Sequence, residues 1–548
     1  MTPEIYDFVI IGSGFGGSVS AMRLTEKGYK VLVLERGKRW RDEDHPKTNW
    51  LFWKYLWSPA LRSFGIFEMY FLSGTLIYRG SGVGGGSLGY ANVLMEPSEK
   101  LFESPAWKDL ADWKTVLRPH YDTAKKMLGV TKTPASNPDD EVIREIANDL
   151  GRGDTFEHTN VGVFFGEPGT EEQEYPDPYF NGEGPPRNAC NFCGGCFIGC
   201  RYNAKNTLNK NYLYFAEKLG AEVLPEVMVR DIRPLPEGQP DGAMYEVIYR
   251  SSTALVYKPQ KRVRARNVII SAGVLGTLEL LFRCRDTTKT LTDLSPRLGR
   301  IVRTNSEEFI GAITREYDTD YSKGVAIGSI FYPDEVTSIE PFHFPAKSGF
   351  TRILAWPLLD TTKKGILRFL EMFWHILRHP LDFLSGMVLP GWAERSVLLL
   401  LMQTEDNRMT VHHGRDIWTL FRKSLIAEED KDYLIPAKIT IGHQIARRTA
   451  KIIGGTTFGA VSETLFDMPS TAHIMGGCLM GRTPDEGVVD LDCQVFNYPG
   501  LYVVDGSIMP ANPGINPSLT ITALSEYAMS RMPSKEGHKR NQPPLGTS

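Results

Sequence analysis

Runs of hydrophobic residues divide the chain into segments typical of strands and helices. An apolar run at 8–11 enters a glycine-containing turn, a helical segment follows, and a second apolar run occupies 31–34. Strand, turn, helix and strand in this order indicate a parallel βαβ unit. The alternation in "KGVAIGSIFYP" (323–333) and the run "RSVLLLLMQ" (395–403) predict strands of a second sheet. The pattern therefore predicts a mixed α/β fold.

The turn after the first strand reads G-x-G-x-x-G, and the second strand ends in Glu35. Such glycines allow a tight turn and close approach of the backbone to a pyrophosphate, which sits at the N-terminus of the following helix. Glu35 is placed to accept hydrogen bonds from ribose hydroxyls, and an acid here disfavours NADP. This arrangement predicts a dinucleotide site formed by Gly12, Gly14, Phe15, Gly16, Gly17 and Glu35.

Three later glycine-containing turns favour FAD over NAD. They are "GSGVGGGSLGYAN" (80–92), the strand and turn in "NVIISAGVLGTLELL" (267–281), and "LYVVDGSIMPANPGINPSLT" (501–520). Each alone is typical of an ordinary turn. A flavin dinucleotide needs both its pyrophosphate and its isoalloxazine held, so several loops facing one cofactor suit FAD.

Length and composition exclude several classes of protein. The chain has 548 residues, 42% hydrophobic and 23% charged, which describes a globular protein of several domains. A formal net charge of −3 offers no basic surface for nucleic acid. The first residues lack a basic region and a cleavage site, and no stretch reaches ~18 apolar residues, so we expect a cytoplasmic protein without a spanning helix.

Two aromatic segments raise the question of membrane contact. "NWLFWKYLW" (49–57) is rich in aromatic side chains, and "KKGILRFLEMFWHILR" (363–378) places apolar residues at helical spacing between basic ends. Apolar stripes flanked by Lys and Arg are typical of helices that lie in a membrane interface. The alternative interpretation is packing against the protein's own domain. Both interpretations remain open at this point.

These segments together resemble the glucose–methanol–choline (GMC) oxidoreductase family and, within it, the cholesterol oxidase branch. The resemblance rests on "IGSGFGG", "GVGGGSLGYAN", "SAGVLGTLELL", "TAHIMGGCLMG" and "YVVDGSIMPANPGINPSLTITALSE", in the family's order along nearly the whole chain. It implies a Rossmann-like FAD-binding domain built from discontinuous segments and a substrate domain with an antiparallel β-sheet. The expected FAD-binding segments are 1–44, 78–100, 205–310 and 465–535. The expected substrate-domain segments are 45–77, 101–204 and 311–464, with 536–548 as a disordered tail.

The resemblance also implies the catalytic residues. His473, before a Gly-Gly pair, matches the family's histidine at the substrate hydroxyl, and Asn516 matches its partner. "SIEPFHFP" resembles the loop that carries the base for steroid isomerisation, which makes Glu340 the candidate. The implied reaction oxidises the 3β-hydroxyl group of a sterol to a ketone, passes hydride to flavin N5, and moves the double bond from Δ5 to Δ4. An imidazole suits transfer of the hydroxyl proton, and the amide fixes the oxygen without adding charge.

Further cofactor contacts follow from the same resemblance. They are Gly84, Gly86, Ser87, Asn92, Val229, Ala272, Gly273, Asp505, Gly506, Asn516 and Pro517. Where many relatives have Asn in the second glycine loop, this chain has Tyr90, with Asn92 two positions later. No histidine lies in that loop, so we expect FAD to be bound noncovalently.

Four of the seven cysteines, Cys190, Cys193, Cys196 and Cys200, lie in "CNFCGGCFIGC". Thiolates at this spacing suit an iron–sulfur cluster, a structural zinc is a second interpretation, and a tight loop of small apolar residues is the third. A cluster would favour an acceptor-linked dehydrogenase of another apolar alcohol over an oxidase that uses O2. A third, non-enzymatic alternative is a flavin electron carrier.

Overall fold

The computed structural model describes residues 5–359, 361–417, 419, 421–538 and 545–546. Among these the helices are α1 (Phe15–Glu26), α2 (Phe52–Tyr55), α3 (Trp113–Leu128), α4 (Pro138–Asp149), α5 (Tyr212–Lys218), α6 (Gly273–Asp286), α7 (Ile366–Arg378), α8 (Pro380–Val388), α9 (Thr440–Ile452), α10 (Val461–Thr464) and α11 (Ser518–Arg531). The strands of three or more residues are β1 (Ile5–Ile11), β2 (Val31–Leu34), β3 (Phe67–Leu72), β4 (Thr75–Gly80), β5 (Glu222–Leu224), β6 (Val227–Pro234), β7 (Tyr245–Ser251), β8 (Lys261–Ile270), β9 (Glu308–Thr314), β10 (Thr337–Phe342), β11 (Ala355–Pro357), β12 (Ser396–Gln403), β13 (Met409–Gly414), β14 (Ser424–Glu429), β15 (Gly455–Ala460) and β16 (Leu501–Val503).

The first sheet joins strands from widely separated parts of the chain. Its order is β5-β2-β1-β8-β7-β6, and β16 pairs with the end of β8. The pairs β5–β2, β2–β1, β1–β8 and β8–β16 are parallel, while β6, β7 and β8 form an antiparallel meander. Strand β1 is buried along nearly its whole length and α1 packs against it, as its continuous apolar run predicts. The carboxyl ends of β1, β8 and β16 therefore meet at one edge, where α1 and α6 begin.

The second sheet is antiparallel, in the order β10-β12-β9-β15-β11. Helix α9 packs on one face with Ile445 and Ala446 among buried apolar side chains of β9 and β12. The opposite face of the sheet carries Phe309, Phe342 and Leu400 toward the first sheet. A mixed α/β fold with a second, antiparallel sheet is thus confirmed, while the proposed domain boundaries stay a prediction.

Two expectations differ from the structure or fall partly outside it. The apolar run at 395–403 is confirmed as strand β12, but within 323–333 only Ser329–Ile330 forms a strand. Gly324 has a left-handed φ of 121° and packs on Asn137, which breaks the extended run. Of the expected disordered tail, 539–544 and 547–548 lie outside the described residues. The described parts contact α1, since Leu545 donates its N–H to Glu26 at 3.2 Å.

Helices α7 and α8 form a pair on the outside of the second sheet. Arg368 of α7 is buried and donates to the carbonyls of Glu463 and Thr464 at 2.8 and 2.7 Å. The apolar side chains of the same helix instead face outward, where Phe373 is 56% exposed. The helix predicted within 363–378 is therefore confirmed. Its apolar side faces solvent and a charged side chain is buried, which is the reverse of a helix that covers a core. Among the described residues, we find no helix both long and apolar enough to cross a bilayer.

Candidate active site

A cavity of about 450 Å³ runs from the carboxyl edge of the first sheet to the inner face of the second. Its first part lies against the turn between β1 and α1. A Cβ added to Gly16 would lie 1.8 Å from the carbonyl oxygen of Val504, so only glycine lets α1 approach β16 this closely. This packing directs the first N–H groups of α1 toward the cavity, as a pyrophosphate site requires.

Glu35 directly follows β2 and lies buried at the cavity wall. Its Oε2 accepts from the N–H and hydroxyl of Ser13 at 3.0 and 2.7 Å, and its Oε1 accepts from Gly37 at 2.8 Å. The carboxylate therefore fixes the glycine turn in addition to facing the cavity. A carboxylate oxygen accepts more than one hydrogen bond, so these contacts leave capacity for a ribose hydroxyl.

The second glycine loop packs directly on the first. A Cβ on Gly85 would lie 2.5 Å from the Cα of Gly14, so the two backbones touch. Gly86 lines the cavity together with Gly89 and Tyr90. These two loops form a cradle of backbone groups that fits a pyrophosphate, and a dinucleotide can lie along it.

Four residues predicted at the cofactor lie behind the cavity wall: Gly17, Gly84, Ser87 and Asn92. Ser87 is buried and supports the loop, since its hydroxyl donates to Gly84 at 2.7 Å and accepts from Leu208 at 3.1 Å. Asn92 is fully buried in a left-handed conformation, with φ of 73°, and its side chain lies near Cys196. Ser87 thus supports the loop, whereas neither polar atom of the Asn92 side chain has a hydrogen-bond partner among the described residues. The predicted cofactor contacts of Gly17, Gly84, Ser87 and Asn92 stay predictions.

The other predicted cofactor residues line the same cavity. They are Gly12, Gly14, Phe15, Gly16, Glu35, Gly86, Val229, Ala272, Gly273, Asp505, Gly506, Asn516 and Pro517. Asp505 is anchored by Ser507 and by the hydroxyl of Thr277 at 2.5 Å, which ties β16 to α6. Sequence reasoning missed Arg283 and Leu425, which also line the cavity; Arg283 donates to the carbonyl of Arg230, next to Val229, at 2.9 Å. These residues belong to no glycine motif, so only the fold places them there.

Glu340 lies on β10, opposite Leu400 of β12. Side chains two apart on a strand share a face, so Glu340 points to the same side of the sheet as Phe342. Phe342 and Leu400 both line the cavity, and the Glu340 carboxyl lies just behind this lining, next to Asn516. The structure therefore brings this predicted residue to the same end of the cavity as His473 and Asn516.

The environment of Glu340 favours its neutral form. The side chain is fully buried, and neither oxygen accepts a hydrogen bond from a described residue. Burial raises the pKa of the Glu340 carboxyl to about 8; the neighbouring Asn516 amide opposes the rise, and the charge of Glu307 adds to it. A carboxyl of this kind takes up and gives back a proton near neutral pH.

His473 follows a short strand, Ser470–Thr471, that pairs with β4. Its Nδ1 is in direct contact with Oε1 of Glu307, and no other described residue forms a hydrogen bond with either atom. Contact through Nδ1 turns the other ring nitrogen, Nε2, away from Glu307. Glu307 was not predicted, because the segment "NSEE" (305–308) has the composition of a solvated loop.

The wall around His473 and Asn516 is strongly aromatic. Its apolar members are Phe67, Tyr70, Tyr78, Phe197, Phe309, Ile327, Phe342 and Leu400. Phe309 packs edge-on against Tyr78 and Phe342, with ring centroids 5.9 and 6.1 Å apart. A histidine and an amide in such a wall, with a carboxyl directly behind the amide, suit a bulky apolar substrate that carries one hydroxyl group.

The four cysteines of 190–200 are free thiols on a loop beside this wall. Among the described residues, no three His, Cys, Asp or Glu side chains are grouped so that they could hold a metal ion. Cys190 packs with Val161 and Val163, whereas Cys196 packs with Val93 and Met95 in a separate apolar cluster. Burial raises the pKa of the Cys193 thiol to about 12, with neighbouring thiolates adding to the rise. Among the described residues the four thiols of Cys190, Cys193, Cys196 and Cys200 thus form no ready-made metal site, and the iron–sulfur, zinc and apolar-loop interpretations all stay predictions.

Sequence comparisons match both ends of this cavity. Residues 10–41 match the family model described as an NAD(P)-binding Rossmann-like domain, and residues 411–525 match that of GMC oxidoreductase. A cholesterol oxidase from Acinetobacter baumannii is 45% identical over 97% of this chain and 95% of its own length. A cholesterol oxidase from Mycobacterium tuberculosis is 41% identical over 100% of this chain and 94% of its own.

Comparison of structures agrees on the fold. Pyridoxine 4-oxidase from Mesorbium loti superposes with a TM-score of 0.58 over 96% of this chain and 99% of its own, at 16% identity. Similarity at this identity concerns the fold alone.

Proposed function

Because the chain belongs to the GMC oxidoreductase family, we propose that it catalyses the FAD-dependent oxidation of the 3β-hydroxyl group of a sterol to a ketone. The observation that carries this proposal is the position of His473, Asn516 and Glu340 at the aromatic end of a cavity whose other end is a dinucleotide cradle. The cholesterol oxidases to which the chain is similar over nearly its full length support the choice of a sterol.

The residues present fit FAD. The two contacting glycine loops would hold the pyrophosphate, Glu35 the adenine ribose, and Val229 the adenine. Gly506 and the N-terminus of α11, with Asn516 and Pro517, would face the isoalloxazine. When bound, the flavin supplies the acceptor for the hydride, which no side chain of the protein provides.

His473 and Asn516 manage the substrate hydroxyl. Asn516 is largely buried and its Oδ1 has no hydrogen-bond partner among the described residues, so the side-chain amide has hydrogen-bonding capacity left for the substrate hydroxyl. Nε2 of His473 is left to accept the hydroxyl proton, because Nδ1 is occupied by Glu307. The aromatic wall excludes water and orients the ring system.

Glu340 suits a second step, the shift of the steroid double bond from Δ5 to Δ4. Next to a ketone, the carbon between carbonyl and double bond is acidic, and one carboxyl that removes a proton there and returns it further along completes the shift. A raised pKa matches this exchange because neither protonation state is strongly favoured near neutral pH. We propose this role for Glu340.

The test is anaerobic mixing of the FAD-loaded protein with cholesterol, followed by the flavin absorbance. We expect reduction by cholesterol and little by its 3α-hydroxy epimer, whose C–H bond points the other way. A flavin that stays oxidised with every sterol would end the proposal. Admission of O2 then separates acceptors: rapid reoxidation with hydrogen peroxide supports an oxidase, and slow reoxidation the acceptor-linked dehydrogenase.

We also propose that substrate is taken from a membrane surface by one side of the molecule, called here the apolar face. It comprises the exposed side chains Trp50, Phe52, Trp53, Ile366, Leu367, Phe369, Leu370, Phe373, Trp374, Leu377, Leu381, Leu384 and Val388. Phe52 stacks on Phe350 at 5.8 Å, and Arg352 lies over Trp50 while it donates to Met387 at 3.0 Å. The segment at 49–57 and the α7–α8 pair therefore form one surface.

This face is continuous with the cavity wall. Tyr55 of α2 stacks on Phe67, 5.6 Å between centroids, and Phe67 lines the cavity. An amphipathic helix that shows its apolar side to solvent has little stability reason to do so unless lipid or a partner covers it. A lipid surface is favoured because the proposed substrate resides in one.

Vesicle sedimentation tests the apolar face. Replacing Leu370, Phe373 and Leu377 by Ser should weaken binding to phosphatidylcholine–cholesterol vesicles by roughly tenfold or more, since partial burial of each side chain is worth ~1 kcal/mol. Leu255→Ser with Val256→Ser, an exposed apolar pair on the loop between β7 and β8, is the matched control and should leave binding unchanged. Equal sedimentation of all three proteins would contradict the proposal.

A further inference from the structure

His473 and Asn516 come from loops more than forty residues apart in the sequence, yet both loops are held by one short turn. This turn, residues 304–307, connects the strand Val302–Arg303 to β9. Thr304, Asn305, Ser306 and Glu307 are all at most 2% exposed. Four consecutive buried polar residues need partners for every polar group, so their contacts indicate what the turn supports.

The first contact is with the loop that carries Asn516. The amide of Asn305 donates from Nδ2 to the carbonyl of Ile515 at 2.9 Å, and its Oδ1 accepts from Gly514 at 2.9 Å. Both ends of one side chain thus grip the two residues that directly precede Asn516. A side chain in this position fixes the backbone from which the side chain of Asn516 projects.

The second contact is with the loop that carries His473. Oε2 of Glu307 accepts from the backbone N–H of Ala472 at 2.6 Å, and Oε1 contacts Nδ1 of His473. One carboxylate therefore sets both the backbone before the histidine and the rotation of its ring. The arrangement has the form of a base oriented by a third group.

The turn itself is held rigidly. Ser306 has a left-handed φ of 48°, which is unfavourable for a serine unless its surroundings enforce it. Asn407 enforces it: its Oδ1 accepts from Thr304 at 2.9 Å and its Nδ2 donates to the Ser306 hydroxyl at 2.8 Å. Gln403 of β12 adds a hydrogen bond to the carbonyl of Asn305 at 3.0 Å.

From these contacts we infer that the turn 304–307 is a clamp that sets the separation and orientation of His473 and Asn516, with Glu307 and Asn305 as its two positioning residues. The inference rests on the proposed function, because it concerns the placement of the two groups that meet the substrate hydroxyl. A displacement of about 1 Å at such groups costs on the order of a hundredfold in rate, so a rigid link between the two loops is valuable to catalysis.

The next residue along the chain offers a matched control. Glu308 is as deeply buried as Glu307 and also pairs with a histidine, since its Oε1 lies 2.9 Å from Nε2 of His443 while its Oε2 accepts from Ile439 at 2.9 Å. It points to the opposite side of the chain, toward His443 of α9, whereas Glu307 contacts His473, which lines the cavity. A purely structural role for buried Glu–His pairs predicts similar effects at both positions, whereas the clamp predicts an effect on catalysis at Glu307 alone.

The kinetic test compares Glu307→Gln, Asn305→Ala and Glu308→Gln in the FAD-loaded protein. Gln at 307 keeps an oxygen for the Ala472 N–H but loses the charge beside His473. We expect kcat with cholesterol to fall roughly a hundredfold in Glu307→Gln and about tenfold in Asn305→Ala, with KM within about threefold of wild type. Glu308→Gln should keep kcat within about twofold, even if its melting temperature drops. Equal losses in kcat at 307 and 308, or an unchanged kcat in Glu307→Gln, would overturn the inference.

Proton NMR spectroscopy tests the clamp without measuring turnover. An imidazole N–H that faces a carboxylate gives a downfield proton signal. The signal of His473, assigned by its loss in His473→Asn, should vanish in Glu307→Gln and persist in Glu308→Gln. Its persistence in Glu307→Gln would count against the clamp. If wild-type flavin were not reduced by any sterol but the signals behaved as expected, the proposed function would fail while the clamp would stand. Should Glu307→Gln not fold, Asn305→Ala, which removes no charge, carries the kinetic test.

Discussion

The two ends of the cavity are built in different ways. At the nucleotide end, backbone groups of neighbouring glycines make the surface, and Gly85 touches Gly14 with no side chain between them. At the catalytic end, the surface consists of side chains from β9, β10, β12 and two loops near the C-terminus, and the turn 304–307 holds those loops from behind. The nucleotide end is formed by the backbone conformation of short glycine-containing segments. The catalytic end is formed by packing between segments that are far apart in the sequence.

This difference has a functional meaning. A backbone cradle offers affinity to any ligand with a pyrophosphate, because N–H groups and a helix N-terminus recognise negative charge regardless of the chemistry nearby. Side chains in an apolar wall determine which bond reacts. Substitutions at the nucleotide end should therefore weaken FAD binding, whereas substitutions at the catalytic end should leave FAD bound but slow its reduction by the substrate.

The largest expected effect is at Gly16. In Gly16→Val the new side chain would meet the carbonyl of Val504, so α1 cannot pack on β16 and we expect loss of FAD together with a destabilisation of about 4 kcal/mol or more. Absorbance of the purified protein and thermal unfolding measure both. Gly14→Ala is the control: its Cβ meets no protein atom within 4 Å, so the apoprotein should keep its stability and only FAD affinity should weaken. Equal unfolding of both variants would break the distinction between packing and cofactor contact.

The second effect sharpens the catalytic side. His473→Gln should retain FAD but reduce the rate of flavin reduction by cholesterol about 10²–10⁴-fold, because the proton acceptor for the hydroxyl is lost. Stopped-flow absorbance under anaerobic conditions gives the rate. Full activity in this variant would place the proton acceptor elsewhere.

A third prediction separates the two proposed steps. Glu340→Gln should abolish isomerisation, so that the Δ5 ketone accumulates, while flavin reduction changes by less than about tenfold. In the wild type, isomerisation requires the ionised carboxyl, so the share of Δ4 product should rise as pH approaches 8, the folded-state pKa of Glu340. Chromatography of the products measures both. A Δ4 product formed at the wild-type rate by Glu340→Gln would refute the assignment.

The same group has a smaller effect on stability. The pKa of Glu340 is raised from its usual 4.5 to about 8, so between these values the folded chain binds more protons than the unfolded chain. Its contribution to stability is therefore fully present below 4.5 and is lost as pH rises to 8. Glu340→Gln should flatten the pH dependence of apoprotein melting in this window. An unchanged slope would indicate that Glu340 is not the group that titrates there.

The smallest effect is expected at the cysteine loop. Cys193→Ser, at a half-buried position, should change stability by no more than about 1 kcal/mol and leave flavin reduction unaltered. Loss of both bound iron and activity in this variant would instead support the iron–sulfur cluster interpretation of the cysteine loop.

The nucleotide end could be predicted from the sequence because its cause is local. Gly12, Gly14 and Glu35 lie within one βαβ unit, and their spacing alone implies the turn. His473 and Asn516 could be placed only through the family's motifs, since no periodicity links them. Glu307 and Asn305 could not be predicted: in sequence they lie in a polar stretch, and only the meeting of β9 with two later loops buries them. Helix α7 shows the converse. The helical spacing of its apolar residues predicts the helix, but the exposure of its apolar side depends on the hydrogen bonds of buried Arg368 to carbonyls of α10.

The pairing of β8 with both β1 and β16 bears on biosynthesis. The strand made first reaches its completed sheet only after the strand near the C-terminus has been added, and the carbonyl that seats α1 belongs to residue 504. A ribosome must therefore translate at least as far as residue 504 before the emerging polypeptide can retain its flavin. Until then the nascent chain depends on its local segments, or on chaperones, to keep an exposed sheet edge from aggregating.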